Sequence, residues 1–163
     1  MKFQKLLCHI SERKKYMQAS NGVKLRSYVC VYLILERDGK ILLSLRKNTG
    51  YEDGKWSMVA GHAEEGETAR EAMIREAMEE ASITILPEDL EFAYVMDRKS
   101  PNRQNIDIFF KCLKYNGKLQ NNEPHKCGGL EFFDANNLPD NTVEYIKIAI
   151  TDITAGRFFQ EYT

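Results

Sequence analysis

The sequence has no long apolar run. Its most continuous one, Tyr28 to Leu35 (YVCVYLIL), falls far short of the ~20 residues that a membrane-crossing helix needs. It also has no polybasic stretch. Lys plus Arg number 23 against 24 Asp plus Glu, for a formal charge of −1, which argues against stable binding of long nucleic acid. The four cysteines, Cys8, Cys30, Cys112 and Cys127, form no CxxC pair. His125-Lys126-Cys127 alone is too sparse for a zinc site, so buried free thiols in a reducing compartment are expected. The first residues, MKFQKLLCHISERKKYMQ, scatter their charges and lack the apolar centre of a signal peptide. Repeats and low-complexity tracts are missing as well. A single cytoplasmic domain acting on a small anionic substrate fits all of this.

Acidic residues are abundant in one place. Gly61 to Ile83 reads GHAEEGETAREAMIREAMEEASI and holds Glu64, Glu65, Glu67, Glu71, Glu76, Glu79 and Glu80. Thr68 followed three residues later by Glu71 is a capping box, so a helix is expected from Thr68 or Ala69 to about Ala81 or Ser82. At ~100° per residue, Glu76 and Glu80 lie ~40° apart and Glu79 lies ~60° to the other side of Glu76. All three point one way, with Ile74, Ala77, Met78 and Ala81 expected to form the core stripe. Like charges so close cost a few tenths of a kcal/mol. A divalent cation would reverse that sign, and oxygen ligands select Mg²⁺ or Mn²⁺. Taken alone, the cluster reads more readily as a solvated glutamate face than as a metal site.

The spacing around the cluster is more specific. Gly61, five residues, Glu67, seven residues, Arg75-Glu76-Ala77-Met78-Glu79-Glu80 and then Ser82-Ile83 closely resembles the Nudix box, G-x5-E-x7-R-E-U-x-E-E-x-G-U with U apolar. One position departs: Ser82 stands where the family has glycine, which is expected to alter the helix cap and not the chemistry. Tyr51 to Gly54 before Trp56, Asn122 to Cys127, and Leu138-Pro139-Asp140 extend the likeness to the MutT-like bacterial subgroup, over about residues 27–157. The resemblance implies an α/β fold, a Nudix-type α/β/α sandwich with a mixed β-sheet, formed by residues 27–163 behind an N-terminal arm of residues 1–26.

The resemblance also implies an Mg²⁺-dependent enzyme, with Mn²⁺ as an alternative, that cleaves a diphosphate linkage. Glu76 and Glu80 are the implied metal ligands, with Glu79 sharing the site and the Ala60 carbonyl beside them. Gly61 would let the backbone approach closely, and Glu67 with Arg75 would form an ion pair that fixes loop against helix, with direct catalysis by Arg75 the other option. Glu123 matches a family position that serves as extra ligand or general base; an ordinary loop glutamate is the alternative. Arg46 and Lys47 are read as phosphate contacts or surface charge. Tyr51 and Trp56 are read as stacking surfaces for a base, with core the favoured reading of Trp56, and Arg98 as a residue shaping substrate choice.

A (deoxy)nucleoside triphosphate split to monophosphate and pyrophosphate is the first substrate implied, and ADP-ribose or another nucleotide conjugate the second. A non-catalytic nucleotide-binding module and an RNA-decapping enzyme are the competing classes; intact acidic residues speak against the former and the missing basic stripe against the latter. The partner is then a small nucleotide, with a homodimer left open.

Pattern elsewhere predicts strands at Tyr28–Leu35 and Ile41–Leu45 around an Asp38-Gly39 turn, then Trp56–Ala60, Ile83–Leu86, Leu90–Met96, Ile106–Leu113 and Leu130–Phe133. A polar loop is expected over Asp97–Asn105, and turns at Pro87–Asp89 and Asn116-Gly117. A second helix is expected from about Thr142 to Ala155, with Val143, Ile146, Ile150 and Ile153 on one stripe and Gly156 as its stop.

Overall fold

A computed structural model describes residues 26–100 and 103–163. The expected N-terminal arm, and Cys8 within it, lies almost wholly outside the described residues. Strand β1 (Ser27–Arg37) is the axis of the fold. Its alternate residues feed two separate cores: Cys30, Tyr32 and Ile34 face one side, Val31, Leu33 and Leu35 the other. That two-sided burial explains why the run is continuously apolar and does not alternate with polar residues. The Asp38-Gly39 turn, with φ of 51° and 73°, returns the chain as β2 (Lys40–Arg46).

Two short strands follow, β3 (Trp56–Ser57) and β4 (Ala60–His62), in place of the single strand expected there. Helix α1 (Ala69–Ala81) leads to β5 (Ile83–Thr84), a 3-10 turn at Pro87–Asp89, the long hairpin β6 (Leu90–Ser100) and β7 (Arg103–Cys112), β8 (Asn116–Gly117), β9 (Cys127–Asp134), α2 (Glu144–Thr154) and β10 (Phe159–Tyr162). The main sheet runs β10-β6-β7-β1-β2-β3, with β4 also paired to β1 and β9 to β2. It is mixed: β1 and β7, and β6 and β10, are parallel, whereas β1–β2, β1–β4 and β6–β7 are antiparallel. Helix α2 packs on the Tyr32 face and α1 on the Leu33 face. This is the α/β/α sandwich expected. None of the described helices is long and apolar enough to cross a membrane.

Several boundaries differ from the sequence reading. The stretch 97–105, expected as a loop, continues both strands of the β6–β7 hairpin outside residues 101–102. Its polar side chains pair across the hairpin, Arg98 with Asp107, so a strand can carry them buried. Asn116-Gly117 is a short strand bonded to β5 and not a free turn. Strand β10 had no periodic signal and lies at the sheet edge beside β6. Helix α1 is rotated from its expected setting. Its buried residues are Ala72, Met73, Ala77 and Ala81, while Met78 is exposed and Ile74 half-buried. At ~100° per residue, Glu76 and Glu80 fall inside that buried arc, between Ala72 and Ala77. The carboxylates therefore look towards the sheet and not away from it. In α2 the expected stripe holds, with Val143, Ile146 and Ile150 almost fully buried.

Candidate active site

The site forms where β4 runs into α1. The capping box closes as its sequence predicts: the Glu71 amide donates to Thr68 Oγ1 (3.3 Å) and the Thr68 amide to Glu71 Oε2 (2.7 Å). Both donors would otherwise be unpaired at the helix start. Arg75 then ties the entering loop to the helix. Its Nη2 and Nε donate to Glu67 (2.8 and 3.2 Å), and Nη2 also donates to the His62 carbonyl (3.0 Å). The remaining nitrogen, Nη1, bonds Glu76 Oε1 (2.8 Å) and Glu79 Oε2 (3.1 Å). This two-pronged pairing holds the Glu67 carboxyl below its ordinary range.

Glu80 is the most enclosed carboxylate of the group. Its Oε2 accepts one hydrogen bond, from the Ala60 amide at 3.1 Å. Desolvation, with repulsion from Glu76 and Glu123, pushes its pKa up to about 8. Glu76 is raised for the same first reason, with Arg75 opposing. Gly61 leaves room for this side chain, because a Cβ there would overlap the Glu76 carboxylate and force it to shift. Ala60 and Gly61 thus give Glu76 and Glu80 their space against the sheet edge. Glu79, by contrast, points to solvent beside Arg75.

Glu123 comes from far along the chain. Its loop is tied to the end of α1: the Asn122 amide donates to the Glu80 carbonyl (3.1 Å) and Asn122 Nδ2 to the Glu79 carbonyl (3.0 Å). Glu123 is thereby close enough to help raise both inner carboxyls, and its own Oε1 pairs with Lys126 (2.9 Å). Among the described residues, no three acidic, histidine or cysteine side chains already form a closed metal cage. Arg75 holds Glu76 and Glu79 in ion pairs instead. The donor set still suits a hard divalent cation: Glu80 is desolvated with one backbone N–H, and Glu76 is desolvated with only Arg75 to oppose it.

A pocket of about 340 Å³ opens over these groups. Of the residues singled out in the sequence, Arg46, Tyr51, Ala60, Gly61, Glu80, Arg98 and Glu123 line it, whereas Arg75, Glu76 and Glu79 do not; His62, Arg103, Lys126, Cys30, Tyr32 and Tyr145 line it as well. Trp56 is not on it. Its ring packs edge-on against Phe133 at 4.8 Å in the core, so it offers a ligand no stacking face. Lys47 lies on the surface, where its Nζ donates to the Pro124 carbonyl. Cys30, Cys112 and Cys127 are free and buried, as expected. The signal for His62 lay inside the box itself. Arg103 and Tyr145 had none, because they reach the pocket only through the β6–β7 hairpin and α2.

The sequence pattern of the NUDIX domain matches residues 24–151. The chain belongs to the Nudix hydrolase family. An ADP-ribose pyrophosphatase of Methanocaldococcus jannaschii is 34% identical over 139 residues, covering 83% of this chain and 80% of the relative. An NAD-capped RNA hydrolase NudC of Photorhabdus laumondii is 26% identical over 133 residues, covering 82% of this chain but only 46% of that protein. Among solved structures, a MutT NUDIX hydrolase from Burkholderia pseudomallei superimposes with a TM-score of 0.71 at 24% identity, over 77% of this chain and 97% of its own. The protein is thus a Nudix pyrophosphohydrolase with the MutT-like sandwich that its box implied.

Proposed function

We propose that this Nudix hydrolase cleaves the diphosphate linkage of ADP-ribose or a closely related nucleoside diphosphate sugar, with Mg²⁺ or Mn²⁺ held by Glu76 and Glu80. The observation that carries the metal reading is the desolvated pair Glu76 and Glu80, with Glu123 near both and a single backbone N–H, that of Ala60, answering Glu80. A bound ion would neutralise the diphosphate and acidify a water at that place. Glu79, and the carbonyl of Ala60, stand within the same cluster as further oxygen donors. Glu123, on its tied loop, is the carboxylate left to accept a proton from the attacking water. Arg75 positions Glu76 and Glu67 and touches no substrate. Tyr51, 43% exposed at the pocket mouth, offers the ring on which a base can stack.

The ADP-ribose choice is supported by the relative of that name, which matches most of both chains. The triphosphate expected from the sequence remains the second reading, because Arg46 and Lys126 stand on the pocket wall as cations for phosphate. A turnover screen with Mg²⁺ separates them, with ADP-ribose, NTPs, dNTPs, 8-oxo-dGTP and dinucleoside polyphosphates as substrates and Glu80→Gln as control. Release of AMP and ribose 5-phosphate from ADP-ribose, lost in the variant, is the expected result. A preference for triphosphates with pyrophosphate release would move the assignment to the second reading. No turnover by folded protein would favour a nucleotide-binding module.

A further inference from the structure

The strand order places β4, and the Glu80 carboxylate bonded to it, between two parts of the pocket lining. The segment carrying β3 and β4 is wedged between β1 and β2: Ala60 pairs with Tyr32 of β1, the Leu33 amide donates to the Val59 carbonyl, and Ser57 pairs with Ser44 of β2. Two walls therefore flank the acidic centre. One comes from β2, β9 and their loops and presents Arg46, Tyr51 and Lys126; the other comes from β6, β7 and the end of β4 and presents Arg98, Arg103 and His62. Each wall carries an arginine stacked on an exposed tyrosine. Arg46 lies 5.6 Å from the Tyr51 ring, and Arg103 lies 5.5 Å from the ring of Tyr28, which His62 also meets edge-on at 5.7 Å. Tyr28 itself is 54% exposed.

Resting on the ADP-ribose reading, we infer that His62 and Arg103, backed by the Tyr28 ring, receive the second organic group of that substrate, a sugar and not a further phosphate. Charge decides between those two occupants. A terminal pyrophosphate concentrates several negative charges and calls for several donor cations. On this wall Arg98 is already bound by Asp107, with Nη2 to Oδ1 at 3.1 Å. Among the described residues there, Arg103 is the cation left for a ligand. One guanidinium and one imidazole are a suitable set for hydroxyl groups.

The test compares ADP-ribose, which spans both walls, with AMP, which fills only the base side. Kinetics would be measured for wild type, Arg103→Ala, His62→Ala and Tyr51→Ala, reading kcat and KM for ADP-ribose and the inhibition constant of AMP. Arg103→Ala and His62→Ala should each raise the ADP-ribose KM about tenfold (1.4 kcal/mol per tenfold) while the AMP constant stays within about twofold. Tyr51→Ala should weaken both ligands. If Arg103→Ala and His62→Ala shift neither constant, or shift both alike, the inference is overturned while the ADP-ribose reading stands. A wild type that hydrolyses triphosphates and neither binds nor cleaves ADP-ribose overturns both.

Discussion

Helices α1 and α2 cover opposite faces of the same sheet and each carries a buried or half-buried acid, yet they treat it oppositely. On α2, Asp152 is 5% exposed and fully answered: it accepts from the Tyr94 hydroxyl (2.7 Å) and from Arg157 Nε (2.7 Å). On α1, Glu80 has one backbone N–H and two acidic neighbours. The rest of each helix agrees with this. The α2 helix anchors itself through Tyr145, Ile146 and Ile150, whereas α1 buries mainly alanines and one methionine. Small side chains let α1 lie close to β4, so its glutamates reach Ala60 and Gly61. A satisfied acid belongs to the scaffold, and an unsatisfied one held by the scaffold is where the proposed cation would sit.

The largest effects should separate these two roles. Glu80→Gln keeps an acceptor for the Ala60 amide but loses the charge. It should cut kcat at least a hundredfold, about 2.7 kcal/mol in barrier, with an unchanged or higher melting temperature. Ile146→Ala, at a fully buried position of α2, should do the reverse: a loss of about 2–5 kcal/mol in stability with near-normal kcat for the folded fraction. Equal damage to activity from both would erase the distinction between the helices. Next comes Gly61→Ala. The added Cβ collides with the end of a flexible glutamate and not with backbone, so the Glu76 carboxylate moves aside. We expect a loss of activity of roughly tenfold, on the scale of a misplaced reacting group, with little change in denaturant midpoint.

The box was legible because its spacing is fixed by chemistry that acts locally: the cap at Thr68, the Glu67–Arg75 pair and the glutamates of one helix all sit within two dozen residues. The continuous apolar run of β1 likewise announced a strand buried on both faces. What escaped was set by distant contacts. The inward turn of Glu76 and Glu80 depends on Gly61 leaving room against the sheet, which no helical periodicity records. Residues 97–105 read as loop because polarity is a reliable loop signal only where water is the partner; here Arg98 and Asp107 are partners to each other. Trp56 stood beside the box in sequence yet turns its ring to Phe133 on β9. Asn122, which ties the Glu123 loop to α1, was not distinguishable from any other polar loop residue.

A smaller effect should appear in the pH dependence of stability without metal. Glu80 has its pKa raised in the fold from an ordinary 4.5 to about 8, and Glu76 is raised too. The folded state therefore binds these protons more tightly than the unfolded chain. The resulting stability is fully present below pH 4.5 and is lost as pH rises through about 8. With EDTA present, the melting temperature should fall across that interval, and Mg²⁺ should restore more of it at pH 8.5 than at pH 5. In Asp152→Asn, on α2, that slope should persist, whereas in Glu80→Gln it should flatten. A slope untouched by Glu80→Gln would assign it to other groups.

The smallest effect lies at the end of α1, at the one place where this box departs from its family. Ser82 caps the helix with φ of 57° and ψ of 30°, and its amide bonds the Met78 carbonyl at 3.1 Å. The left-handed cap is thus formed, as glycine would form it, by a residue whose Cβ makes that conformation cost about 1 kcal/mol. Glycine would remove the cost but add freedom to the unfolded chain, offsetting about half of it. Ser82→Gly should therefore raise stability by about 0.5 kcal/mol, read as a small upward shift of the urea midpoint. Because the glutamates sit upstream on a helix already fixed by Arg75 and Asn122, kcat should not change. A gain in activity would mean that strain at this cap reaches the carboxylates, and that the helix end is part of the site.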